Sequence, residues 1–311
     1  MDKKAKTIAA CAGALVLIGA GVITYTVTRK DNEEPVSQSV AEVTEAPTEA
    51  PTVPLYDYVP SEEGMTERAK MLLKKNKDVV GWIRIPNTDV DYPFVRDPGA
   101  IPAGKDYYGG EAYEENSYYL DHDLDGSFLR CGTLFMDWRD RFGADEDDQS
   151  ENIIIYGHNM ANNTMFGSLR RYRQDFDFYE QAPFVQLSSN YRDYDYVICG
   201  FLITSGNWYS DFLYWNMEEL DNEKEFKEFM DTVHARQMYD TGVDVKYGDK
   251  LVTLSTCYAD EDNSRFIIVA RRLRDGEVAG DLNSIERTEE YKKAHAPTEA
   301  PKETEQASQG Q

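Results

Sequence analysis

Two runs near the C-terminal end decide the fold: Leu251-Val252-Thr253-Leu254-Ser255-Thr256-Cys257 and Arg265-Phe266-Ile267-Ile268-Val269-Ala270-Arg271. Both are dense in β-branched and apolar residues, and the polar loop from Tyr258 to Ser264 separates them. Short apolar runs bounded by turn residues read as strands. Working outward, similar runs stand at residues 79–85, 89–95, 117–120, 131–138, 152–156, 184–187 and 194–204, ahead of the pair at 250–255 and 265–271. Many short strands joined by loops predict a mainly β domain, closed or nearly closed as a barrel. Two segments depart from this pattern. At the start, Ser61 can cap a helix whose first turn holds Glu62 and Glu63 and whose apolar face holds Met65, Ala69, Met71, Leu72 and Leu73. Residues 217–237 place Leu220, Phe226, Phe229, Met230 and Val233 at helical spacing, which predicts a surface helix inserted before the strand that ends in Cys257.

The ends of the chain are of another kind. Lys3, Lys4 and Lys6 precede an apolar run over residues 7–27, long enough for a membrane-spanning helix. A cleaved signal would have a shorter apolar core and a small-residue cleavage site, where this chain has Tyr25, Arg29 and Lys30. Residues 1–30 therefore read as a cytoplasmic N-terminus and an uncleaved single-pass anchor, with the rest of the chain outside the cell. Residues 31–55 are rich in Pro, Thr and Glu and include the tandem Thr-Glu-Ala-Pro at 44–51, a composition that predicts a disordered spacer. The phrase returns at Ala296-Pro297-Thr298-Glu299-Ala300-Pro301, and residues 276–311 read as a tail. One folded domain, residues 56–275, stands between them.

Composition bounds the function. The 311 residues carry a formal net charge of -24, which argues against nucleic acid as a partner because phosphate binding needs clustered Lys and Arg. Much of the acid sits in runs such as Asp145-Glu146-Asp147-Asp148, which read as solvated faces. The 21 Tyr and 13 Phe suit a β-rich core. The four cysteines, Cys11, Cys131, Cys199 and Cys257, form no CxxC pair, so neither a zinc ribbon nor a dithiol motif is supported. Cys131 and Cys199 lie beside apolar runs and read as buried free thiols, with a disulfide between them as the alternative that sequence alone does not decide. Asp121-His122-Asp123-Leu124-Asp125-Gly126 copies the first half of a calcium-binding EF loop, but the twelfth position is Gly132 instead of a bidentate Glu. It reads as an acidic turn.

Three strand ends each carry one reactive side chain. Cys257 closes its strand beside a polar loop, where a thiol is open to substrate. A thiol becomes a strong nucleophile when a nearby cation stabilises the thiolate. His158 follows the strand Ile153-Ile154-Ile155-Tyr156 and a glycine, and Arg265 opens the next strand after Cys257. Taken singly, each has a more ordinary reading: a buried cysteine, a structural histidine, a surface charge. Their joint placement favours a convergent site.

Thr253-Leu254-Ser255-Thr256-Cys257 with Arg265 eight residues on resembles the catalytic signature of sortases, and Tyr156-Gly157-His158-Asn159-Met160 resembles the histidine segment of their class B. Gly81-Trp82-Ile83-Arg84-Ile85-Pro86, Tyr118-Tyr119-Leu120, Gly132-Thr133-Leu134-Phe135-Met136-Asp137-Trp138-Arg139 and the inserted helix agree with it. The resemblance spans nearly all of the folded domain. It implies a closed barrel of about eight strands, no cofactor, and a membrane-anchored cysteine transpeptidase at a Gram-positive type cell surface. Cys257 would attack a threonine carbonyl in the C-terminal sorting motif of a surface protein. An amine of peptidoglycan or of a pilin would resolve the thioacyl-enzyme. His158 would act as general acid and base, and Arg265 would support the oxyanion. Tyr156, Ser255, Thr256, Asn116 and Leu120 match positions that contact substrate. Tyr258 stands where class B relatives carry an acid, so motif specificity does not carry over. A peptidase that mainly hydrolyses and a non-catalytic surface-binding barrel are the alternatives.

Overall fold

The computed structural model describes residues 62–105, 109–175, 177–217, 220, 222–258 and 263–277. The expected anchor, the spacer and nearly all of the expected tail lie outside the described residues. Among the described residues, no helix is long and apolar enough to cross a membrane.

Strands β1 (Val79–Arg84), β2 (Asp91–Arg96), β3 (Leu134–Met136), β4 (Asn152–Tyr156), β5 (Phe184–Ser189), β6 (Asp193–Ser205), β7 (Leu251–Cys257) and β8 (Ser264–Arg272) close into a barrel in the order β1-β2-β3-β4-β7-β8-β6-β5. Two pairings are parallel, β2 with β3 and β4 with β7; the others are antiparallel. Parallel neighbours need a long crossover. The one from β4 to β7 contains β5, β6 and the helices α2 (Arg170–Gln174), α3 (Phe178–Gln181) and α4 (Glu223–Arg236).

Strand β4 shows how side chains divide. Ile153 and Ile155 point into the barrel core with Phe94, Leu134, Ile198, Leu254 and Ile268. Ile154 points outward to a second core shared with Phe226, Phe229, Met230 and Val233 of α4. Each of those helix side chains, fully buried, stabilises the fold by about 1.5–3 kcal/mol. The helix starts where Asn222 Oδ1 accepts the Glu225 N–H at 3.0 Å, and it seats closely on β6 because residue 200 is glycine. A Cβ there would lie 2.6 Å from the Val233 side chain.

Several expected boundaries move. Residues 117–120 are not a strand: Tyr118–Leu120 form a 3-10 turn in which Tyr118 and Tyr119 are both buried. In a strand successive side chains would face opposite ways, whereas both tyrosines bury in one cluster, where the Tyr119 hydroxyl donates to Asp78 at 2.7 Å and accepts from Asn76 at 2.8 Å. The run at 131–138 pairs only over Leu134–Met136, since Gly132 has φ +55 and a Cβ there would meet the Tyr119 carbonyl at 2.2 Å. The first helix, α1, is Glu67–Leu73 with Thr66 as its cap; Ser61 lies outside the described residues. The helix expected over 217–237 begins only at Glu223. Cys199 is a buried free thiol, pushed up to about 12 by burial. Cys131 is free but only half-buried, because it sits in the turn outside β3.

Candidate active site

Strand register brings the three candidate side chains toward one end of the barrel. Cys257, the exposed last residue of β7, pairs directly with Arg265 on β8. Paired residues of an antiparallel ladder project to the same face. On the other side of β7, parallel β4 pairs Tyr156 with Ser255, and the Gly157 N–H donates to the Ser255 carbonyl at 3.1 Å. β4 ends at Tyr156, two residues before His158, and the next residue, Asn159, still reaches β7, its Nδ2 donating to the Cys257 carbonyl at 3.0 Å. The His158 Nε2 lies 2.7 Å from the Leu120 carbonyl. Facing an acceptor, that nitrogen carries the proton. The Arg265 guanidinium lies against Gly206, where a Cβ would come within 2.9 Å of it. The β7–β8 loop is closed by Tyr258 N–H to Ser264 O at 2.9 Å. A cavity of about 230 Å³ between Val80, Arg96, Met136 and Phe142 opens at the opposite end of the barrel and is separate from these groups.

The other expected site residues build the frame. Thr256 Oγ1 donates to the Gly157 carbonyl at 2.7 Å, and Ser255 Oγ shares a buried 2.7 Å hydrogen bond with the Tyr214 hydroxyl. Burial pushes the Tyr214 phenol up to about 12, against the pull of Ser255 and of the Arg265 charge. The Tyr156 hydroxyl donates to Asp137 at 3.0 Å; burial, and then Asp137, hold it well above the usual phenol range. Asn116, at φ +57, donates through Nδ2 to Asp137 at 2.8 Å and accepts the Trp138 N–H through Oδ1 at 3.0 Å. Leu120 alone of this set leaves an apolar side chain open, 41 % exposed. Sequence reasoning did not single out Asp137, Tyr214 or Asn159. Asp137 and Asn159 lay inside quoted motifs, but their roles depend on partners 19 to 98 residues away. His122 stacks on Tyr118 at 4.1 Å, and Asp123 and Asp125 accept backbone N–H groups of their own turn, as an acidic turn should.

The family model described as the sortase domain matches residues 83–273. The chain belongs to the sortase family. Sortase B of Listeria monocytogenes is 31% identical over 191 residues, covering 61% of this chain and 67% of that relative. The solved Staphylococcus aureus sortase B–substrate complex superposes with a TM-score of 0.55 at 25% identity, over 68% of this chain and 87% of that one. A Bacillus anthracis structure described as similar to sortase B gives 0.54 at 27% identity, over 69% and 86%. This chain is thus a class B sortase, an enzyme of a family of cysteine transpeptidases.

One buried acid, Asp97 just after the end of β2, should make the stability of this sortase depend on pH. Asp97 is fully buried; its Oδ1 accepts the N–H groups of Gly99 and Asn116, each at 2.9 Å, and its Oδ2 has no partner among the described residues. Burial pushes its carboxyl up to about 7, against those two bonds and with help from Asp137 and Asp78. Unfolded, it would titrate near ~4. The folded state therefore holds the proton over that interval, and stability falls as pH rises from about 4 to about 7. Asp97→Asn keeps the acceptor at Oδ1 and removes the charge. We expect it to raise the melting temperature at pH 8 and to leave it nearly unchanged at pH 4; an equal shift at both would remove Asp97 as the cause.

Proposed function

We infer that this sortase cleaves a C-terminal sorting motif of surface proteins after threonine and transfers the acyl group to an amine. The thiolate of Cys257 attacks the threonine carbonyl, and the C–N bond breaks as His158 protonates the leaving amine. A thioacyl-enzyme remains. An incoming amine, from peptidoglycan or a pilin lysine, loses a proton to His158 and displaces the thiolate as the new amide forms. Arg265 donates to the oxyanion in both steps, a task suited to a fork of donors that stays charged. The observation that supports this reading most is the register: β8 pairs Arg265 directly with Cys257, and β4, which leads into His158, flanks β7 on its other side. Leu120 is the apolar wall offered to the motif, while Tyr156, Ser255, Thr256 and Asn116 hold the frame behind it. Residues 7–27 would anchor the chain with this domain outside the cell.

The test uses a fluorescent peptide library with threonine fixed at the cleaved position, with and without an amine acceptor. Transfer predicts an acylated amine and faster turnover when the amine is present. Release of free acid alone would turn the reading to a hydrolase. An absence of any cleavage by the folded chain would leave a binding barrel.

A further inference from the structure

The β4–β7 ladder ends in an unusual rung. Up to Gly157, backbone joins backbone, its N–H donating to Ser255 O at 3.1 Å. A parallel ladder repeats such a bond at every second residue, so the next would run from the N–H of residue 159 to the carbonyl of Cys257. Here the side chain makes it: Asn159 Nδ2 donates to Cys257 O at 3.0 Å. The sheet is extended by one rung while the main chain is already turning away. That turn is fixed separately, by Phe166 N–H to His158 O at 3.0 Å and by the bridge between Asn159 and Met165.

The remaining atom of the amide points to the same purpose. Asn159 Oδ1 is buried and has no hydrogen-bond partner among the described residues. A dry acceptor costs about 1–3 kcal/mol, which offsets the roughly 0.5–1.5 kcal/mol that the Nδ2 bond contributes. Stability alone gives little reason for an amide at this position. Holding the nucleophile's own carbonyl, next to the turn that presents His158, does give one.

We propose that Asn159 is a positioning residue for acyl transfer: its side-chain amide grips the Cys257 carbonyl and so sets the reach between the thiol and the His158 imidazole. The inference rests on the reading of Cys257 and His158 as the reacting pair. Asn159 bonds the main-chain carbonyl of Cys257 and would act through it. A misplacement near 1 Å in such a pair can cost about 100-fold in rate.

The experiment compares Asn159→Ala, Asn159→Asp and Asn159→Gln with the unaltered full-length chain, purified in mild detergent. It measures kcat and KM on the peptide that the unaltered chain cleaves best from the threonine-fixed library, the rate of Cys257 alkylation by iodoacetamide, and Tm. We expect kcat of Asn159→Ala to fall about 10- to 100-fold with KM within about two-fold. Asn159→Asp, with an acceptor facing a carbonyl, should be slower still. Asn159→Gln, which keeps the donor, should recover part of the loss, and alkylation should slow in the same order. A kcat for Asn159→Ala within two-fold of the unaltered chain overturns the proposal. So do losses that track Tm and ignore whether a donor is present. If the unaltered chain cleaves no peptide, the transpeptidase reading fails, and the alkylation order alone still decides whether Asn159 governs the thiol.

Discussion

Cys257→Ala is expected to abolish cleavage and transfer together, by on the order of 10⁴-fold or more, while leaving the barrel intact. The two halves have separate causes. Both chemical steps in the proposed cycle pass through the sulfur, and the two hydroxyls that immediately precede it in β7 are already engaged. Ser255 Oγ is tied to Tyr214 and Thr256 Oγ1 to the Gly157 carbonyl. The fold, by contrast, hardly uses the thiol: Cys257 is exposed, and its place in the sheet rests on main-chain pairing with Arg265 and on the Asn159 bond to its carbonyl. The melting temperature should therefore move by no more than a degree or two. Intact-mass measurement gives the sharper check. The unaltered chain, mixed with a cleavable peptide and no amine, should gain the mass of the acyl fragment, and Cys257→Ala should gain none. Because nucleophile and proton carrier act as a unit, adding His158→Ala to Cys257→Ala should cost nothing further. An adduct that persists without the thiol would place the nucleophile elsewhere.

Eight strands and their rough positions were legible because each is a short apolar run between turn residues, and β7 and β8 carry that signal most strongly. What misled was aromatic content. Tyr118 and Tyr119 have strand propensity, yet both bury into one small cluster with Val79, Val95, Ile101 and Phe135, which a 3-10 turn permits. Gly132, in the left-handed region, cut β3 short in the same way. Helices α2 and α3 are too short, at five and four residues, to show a period. The start of α4 did have a signal, Asn222 with Glu225 three residues on, which outranks the apolar spacing that suggested an earlier start. At the candidate site, Cys257, His158 and Arg265 could be nominated from the sequence through their order at strand ends, and Cys257 and Arg265 prove to be direct partners across β7 and β8. The frame behind them was not. Which hydroxyl of Tyr156, Ser255 or Thr256 meets which partner depends on barrel closure, and local sequence does not encode that.

The largest stability effect should come from that unread frame, at Asp137. This carboxylate is fully buried and, among the described residues, accepts five hydrogen bonds. Arg139 supplies three, from its backbone N–H at 3.1 Å, Nε at 2.9 Å and Nη2 at 3.0 Å; Asn116 Nδ2 adds one at 2.8 Å and the Tyr156 hydroxyl another at 3.0 Å. Asp137→Ala leaves a largely buried guanidinium and two further donors without their acceptor. Breaking one partner of a buried charged pair costs about 3–5 kcal/mol, and for a domain of this size each kcal/mol lowers Tm by about 2–4 °C. A fall on the order of 10 °C is expected in a thermal scan. Activity should fall further than stability explains. Arg139, held by Asp137, also donates to the Trp215 carbonyl and, at 3.1 Å, to Asn216 Oδ1. That turn carries Tyr214, whose hydroxyl bonds Ser255 two residues before Cys257. Loosening Asp137 should therefore reach the nucleophile through Arg139, the 214–216 turn and Ser255. Asp137→Asn, which keeps the shape but turns an NH₂ toward donors, should fall between. If Asp137→Ala melts within about 2 °C of the unaltered chain, Asp137 is not the hub that its five bonds describe. If it melts low but turns over normally below its Tm, the link from Arg139 to the β7 end carries no functional weight.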